Sequence, residues 1–222
     1  MLKKFIKPSL ILMLSVLLVG CATTETMQQK TREQAATIIN LSNEVKRLNT
    51  ELDKLTESKA ELAETKLRLE NRLKDEIAKG ELKVEMQDRG VVVTMLTEVL
   101  FDSGKTTIKP DSKKTLEKVA QVINDRQSKN NLIYIEGHTD NVPIKYSGYK
   151  SNWELSTTRA TEVLHFFVDE CKINPARISA TGYGKYRPVA PNNIAQGRAK
   201  NRRVEVIISP DQVTRREVKH IK

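Results

Sequence analysis

The chain has 222 residues, of which 38% are hydrophobic, 30% charged and only 5% aromatic. That leaves room for one modest core with a long extension, or for two small domains. Its formal charge of +10 is unevenly placed: residues 90–222 hold 22 basic and 14 acidic side chains, whereas residues 22–89 hold 13 and 14. A basic C-terminal part suits an anionic polymer, and the export signal described next argues against nucleic acid as that polymer.

Lys3, Lys4 and Lys7 precede a short apolar run from Leu10 to Gly20, which ends Leu18-Val19-Gly20-Cys21. Eleven residues fall short of the roughly 20 that a spanning helix needs. The ending has the form of a bacterial lipobox, in which a small residue before cysteine permits cleavage and the thiol carries diacylglycerol. Residues 1–20 are therefore read as a lipoprotein signal peptide, Cys21 as the lipidated residue, and 21–37 as an acylated terminus and linker. Two or more acyl chains give stable anchoring where one gives marginal binding. Ala22 follows the cysteine, and the absence of Asp there favours the outer membrane under enteric-type sorting. Lipidation of Cys21 leaves Cys171 without an intramolecular partner, and its place on the apolar side of an expected helix suits an inert thiol.

From Ala22 to Lys79 there is neither Gly nor Pro. Leu41, Leu48, Leu55, Leu62 and Leu69 recur every seven residues, with Ile38, Val45, Leu52, Lys59, Lys66 and Leu73 at the companion positions. Leucine at every d position predicts a coiled coil over 38–79, about 60 Å long between Ile38 and Ala78 at 1.5 Å per residue. A single amphipathic helix lying on a globular domain is the competing reading, and it calls for a wider apolar stripe. Ile38 and Val45 over leucine favour two parallel strands, and Lys59 and Lys66 disfavour higher oligomers. A homodimer is expected, with a trimer as the alternative, acting as a spacer.

Gly80 ends the helical pattern, and Val91 to Met95 reads as a strand. Phe101-Asp102-Ser103-Gly104 is a turn. A helix follows from Pro110, with Leu116, Val119, Ala120 and Ile123 on one face. Strands are expected at Leu132–Glu136, Arg177–Gly182 and Arg203–Ile208. A second helix is expected over Glu154–Cys171, capped by Ser156, with Ala160, Val163, Leu164 and Phe167 inward. The order β-α-β-α-β-β predicts an α/β sandwich of helices on one mixed sheet over 90–209. A basic tail, 210–222, has no periodicity.

Within this domain the words GHTDNVPI, SNWELSTTRA, RISATGYG and GRAKNRRVEV, from Gly137 to Val206, closely resemble the OmpA-like peptidoglycan-binding family, which includes Pal-type lipoproteins and flagellar stator proteins. The resemblance covers about Val91 to Ile208. It implies that Asp140 and Arg159 bind diaminopimelate, which carries an ammonium and a carboxylate on one carbon. An aspartate can take the first and an arginine fork the second, helped by the positive end of the helix beneath. By the same resemblance Asn152 bonds the stem-peptide backbone and Thr139 and Leu155 line the pocket. Asn141, Arg202 (with Asn201 beside it) and, more loosely, Phe101 and Asp102 complete it. The alternative for Asp140 and Arg159 is a cap and a structural salt bridge.

The loop from Val142 to Ser156 is longer than in Pal-type members and nearer the stator type, and Trp153 in it either packs on the sheet or covers the pocket. A stator also needs a spanning helix with an acidic residue, whereas this apolar run contains no acid. No nucleophile elbow or phosphate loop occurs. His138 reads as a structural hydrogen-bonding residue, since with Asp140 it has no third metal ligand in sequence reach. The expectation is an outer-membrane lipoprotein holding peptidoglycan without catalysis, cofactor or metal. The other readings are a wall-binding subunit of a larger envelope, secretion or motor complex, and a wall hydrolase.

Overall fold

A computed structural model describes residues 8–126, 128, 130–144 and 148–210, with side chains from residue 26 onward. Residues 1–7 of the expected signal peptide, the side chain of Cys21 and the tail beyond Pro210 lie outside the described residues. The chain divides into two compact units, residues 1–53 and 54–222. Helix α1, Pro8–Arg72, contributes to both. In the first unit Ile38, Leu41, Val45 and Leu52 are all more than half exposed. No helix among the described residues is long and apolar enough to cross a membrane.

The second unit holds the sheet. After α1 come α2 (Lys74–Ala78), β1 (Leu82–Gln87), β2 (Gly90–Leu96), α3 (Thr97–Leu100) and α4 (Pro110–Ile123). They are followed by β3 (Leu132–Gly137), α5 (Asn152–His165), β4 (Ile178–Gly182), α6 (Ala195–Asn201) and β5 (Arg203–Ser209). The strand order is β1-β2-β5-β3-β4, with β3 and β4 parallel and the other pairs antiparallel. This is the expected mixed α/β sheet, with β1 and the short helices α3 and α6 added. Strand β1, Leu-Lys-Val-Glu-Met-Gln, pairs with β2 through a two-residue turn at Asp88-Arg89, so the domain starts before residue 90. The short helix α6 interrupts the connection into β5.

Val93, Val206 and Ile135 lie side by side in register and, with Val91, Met95 and Ile133, form the buried face. Leu116, Val119, Ala120 and Ile123 of α4, and Ala160 and Val163 of α5, cover it, followed by Phe167 in the π-helical turn Phe166–Glu170. The inward faces of both helices are the expected ones. Cys171, half-buried beside this core, has its thiol raised to about 11 by burial, which keeps it protonated and inert.

The end of α1 is part of the same core. Leu62, Leu69 and Leu73 are buried in it. Around them Thr65 Oγ1 lies 3.1 Å from Ser128 Oγ, Arg68 pairs with Asp125 at 2.7 Å, and Glu76 pairs with Lys118 at 2.6 Å. Over Leu62 to Leu73, then, the helix lies on the globular domain, the competing reading of the heptad pattern. The chain turns after it at Gly80, whose φ of +72° suits glycine, with Glu81 N donating to Glu76 O at 3.0 Å.

Candidate functional site: a cleft at the carboxyl end of β3

Strand β3 continues its ladder past Gly137, where His138 N donates to Arg203 O at 2.9 Å and Thr139 N donates to Gly184 O at 2.9 Å. These bonds deliver Asp140 to the sheet's end in a fixed orientation. Its Oδ1 accepts from Val142 N at 3.0 Å, and its Oδ2 accepts from Arg202 Nη1 at 2.9 Å. Helix α5 sits close above. A Cβ on Gly137 would lie 2.1 Å from Ser156 O, and one on Gly182 would lie 2.2 Å from Thr157 Oγ1, so both strand ends need glycine for the helix to approach.

The helix begins at Asn152. Its cap is Ser151, whose Oγ accepts from Trp153 N at 3.1 Å and is bonded to Glu154, a capping box. Ser156, the cap expected from the sequence, is instead buried inside the helix, where its Oγ accepts from Gly184 N at 3.0 Å. The earlier start places Asn152 in the first turn. Its Nδ2 donates to Val142 O at 3.1 Å, tying the loop to the helix, while its buried Oδ1 has no partner.

Arg159 is 5% exposed and stands 5.5 Å from the centroid of the Phe101 ring. Its Nε and Nη2 donate to Lys105 O at 3.4 and 3.3 Å. It forms no ion pair with a carboxylate among the described residues. Burial has the largest effect on its guanidinium and, with Arg202 nearby, holds it below the usual arginine value against the pull of Tyr149 and Asp140.

Together these groups line a cleft of about 1060 Å³. Asp102, Thr139, Asp140, Asn152, Leu155, Arg159 and Arg202 all border it. Asn141 does not; it is exposed beside the cleft. Asp102 is half-exposed at the rim and pairs with Lys105 at 3.2 Å. Asn201 turns away and clamps the chain at Val189 and Ala190 through bonds of 2.8 and 2.9 Å. Several bordering residues escaped the sequence reading, among them the cations Lys105, Lys109 and Arg198. Arg198 was findable, because it stands in the same GRAKNRR word as Arg202, four residues earlier.

His138 is buried with neither ring nitrogen hydrogen-bonded, stacked 5.4 Å from Tyr183, so it packs rather than bonds. Glu136 and Glu205 stand with it, their ligand atoms within 4.8 Å of one another. They are the third-ligand candidates that sequence proximity to Asp140 concealed. Both carboxylates are already engaged: Arg89 Nη1 reaches Glu136 at 2.5 Å, Arg89 Nη2 bonds Glu205, and Arg203 Nε reaches Glu205 at 2.6 Å. The cluster is charge-balanced without an ion. Trp153 neither packs on the sheet nor lines the cleft; it is 46% exposed and stacks on Tyr186.

Residues 100–202, which hold the buried arginine and the strand-end aspartate of this cleft, match the OmpA family. The chain thus carries an OmpA-family domain. It is 39% identical to Motility protein B of Bacillus subtilis over 150 residues, which are 68% of this chain and 57% of that protein, so it spans little more than half of that relative. Among solved structures, a MotB-like protein from Desulfovibrio vulgaris matches with a TM-score of 0.64 and 28% identity, covering 70% of this chain and 98% of that one. The cell wall anchor of the T6SS from Pseudomonas aeruginosa matches with a TM-score of 0.59 and 33% identity over 65% and 98%.

Proposed function

We propose that the chain is a non-covalent peptidoglycan anchor whose cleft holds the diaminopimelate of a stem peptide. The observation that carries this is Arg159, a buried cation without a carboxylate partner among the described residues. A ligand carboxylate on its free edge supplies the missing charge through charge-assisted bonds. Asp140 takes the ligand ammonium alongside Arg202, and Asn152 bonds the backbone of the stem peptide. The OmpA-family match, and the similarity to a protein described as a cell wall anchor, support the same reading.

In this proposal Cys21 is acylated, the lipid sits in the periplasmic leaflet of the outer membrane, and the helix bearing Ile38 to Leu55 pairs with a second copy. Two domains on one coil add avidity when both reach stems. Similarity to Motility protein B and to the secretion-system anchor favours a second, compatible reading, in which the chain is the wall-holding subunit of a larger envelope complex.

The test is cosedimentation of the chain, with Cys21→Ser to free it from lipid, with purified diaminopimelate-type sacculi. Asp140→Ala and Arg159→Ala run alongside. Binding lost in both folded variants supports the cleft; full binding by Arg159→Ala removes it.

A further inference from the structure

Trp153 is the chain's single tryptophan. It stacks on Tyr186 with ring centroids 5.1 Å apart and planes inclined by 25°, yet the two residues are 46% and 62% exposed. Single exposed apolar residues are ordinary. This pair differs because each ring stands on its own rigid support. Trp153 belongs to the first turn of α5, where Ser151 caps its amide. Tyr186 belongs to the loop after β4, which is pinned at Gly184 by bonds to Ser156 Oγ at 3.0 Å and from Thr139 N at 2.9 Å, and at Tyr183 by a bond from Tyr186 N at 3.2 Å. Tyr183 in turn contacts both His138 at 5.4 Å and Arg187 at 3.6 Å.

The pair also adjoins the cleft. Asn152, which borders the cleft, directly precedes Trp153, and Thr139, which also borders it, holds the loop of Tyr186. We propose that Trp153 and Tyr186 form a platform for one N-acetylated sugar ring of the glycan strand while the cleft holds its peptide stem. This rests on the wall-binding reading above and extends it from peptide to glycan. The physical match is direct. One face of a pyranose presents polarised C–H bonds, and an aromatic face is negative. Rigid rings with few torsions give contact area at low entropic cost. Lys185, 5.7 Å from the Tyr186 centroid, offers a donor for a hydroxyl or acetamide oxygen.

The single tryptophan makes the test site-specific. The full chain is titrated with three probes: a disaccharide-tetrapeptide, the same tetrapeptide without sugar, and the disaccharide alone, following tryptophan emission and the heat of binding. The wild type is expected to bind the disaccharide-tetrapeptide roughly five-fold tighter than the bare tetrapeptide, the size of one aromatic stacking contact. Only probes bearing sugar should shift the emission. Trp153→Ala and Tyr186→Ala should erase the sugar preference and leave the bare tetrapeptide within about two-fold, and Trp153→Phe should keep most of the preference. An Arg159-dependent tetrapeptide affinity to which the sugar adds nothing would overturn the platform and spare the cleft. Absence of tetrapeptide binding in the wild type would overturn the wall-binding reading itself, and the glycan proposal with it.

Discussion

Asp140 and Arg202 are joined at 2.9 Å across the cleft, one from the loop after β3 and the other from the step between α6 and β5. The pair holds together two segments 62 residues apart and leaves Arg159 as a buried cation of the cleft without an ion-pair partner among the described residues. In the proposed anchor, a zwitterionic ligand meets an aspartate already oriented by its own arginine and a second arginine held in reserve.

Arg159→Ala should abolish wall cosedimentation, and Arg159→Lys should weaken it by at least about ten-fold, because an ammonium cannot reproduce the fork. Stability should move the other way. Arg159→Met removes a buried charge that has no counter-charge of its own, so its urea midpoint is expected to equal or exceed that of the wild type. A marked loss of stability in Arg159→Met would mark a structural role instead.

The leucines of α1 should separate into two classes. Leu41→Asp, at an exposed position, should abolish dimers in analytical ultracentrifugation and leave the melting of the sheet domain unchanged. Leu69→Ala, at a fully buried position, should cost about 2–5 kcal/mol of domain stability and leave the dimer intact. Equal effects of both on association would mean that the whole heptad series serves one seam.

His138 predicts a pH dependence. Burial first, and then the charge of Arg203, pushes its ring down to about 3, with Glu205 opposing. The folded value lies below the unfolded value of about 6.5, so the neutral ring's contribution is complete above that pH and is lost as pH falls toward 3. His138→Asn should flatten the fall in unfolding free energy between pH 6.5 and 4, by an amount on the order of a few kcal/mol in total. The same slope in variant and wild type would assign the acid sensitivity to carboxylates such as Glu205. Burial raises that carboxyl, but Arg203 and the other cationic neighbours bring it below the ordinary range.

Gly137→Ala should lower stability by about 1–3 kcal/mol and weaken wall binding, because its Cβ meets Ser156 O at 2.1 Å and displaces the helix that carries Asn152 and Arg159. Gly148→Ala, at φ +74° in open space, should cost only the about 1–2 kcal/mol of left-handed backbone strain and leave binding intact. Equal binding loss in the two variants would detach the effect from the helix–strand approach.

Periodicity and turn chemistry were enough to read α4 and the inward face of α5, because a helix face is written in residues three and four apart. They also marked Gly80 as the helix end and Val91, Arg203 and their neighbours as strands. Strand β1 escaped because its six residues follow directly on a long helical pattern, and only pairing with β2 makes them a strand. The cap was placed at Ser156, five residues past the observed cap Ser151, because where the helix starts depends on where the loop from Asp140 meets it.

The amino-acid sequence alone determined the local elements, the heptad leucines and the words that bring Asp140, Arg159 and Asn152 into one domain. The first two are short-range patterns of side-chain spacing, and the third rests on resemblance to the OmpA-like family. Tertiary structure decided what the patterns face. It buried Leu62, Leu69 and Leu73 in the domain core and left Ile38 and Leu41 exposed, although the heptad spacing is the same. It gave Asp140 to Arg202 and left Arg159 without an ion-pair partner among the described residues. It set Trp153 against Tyr186, 33 positions away in the chain. Which surface a side chain meets depends on contacts between residues far apart in the chain, and no local repeat encodes them.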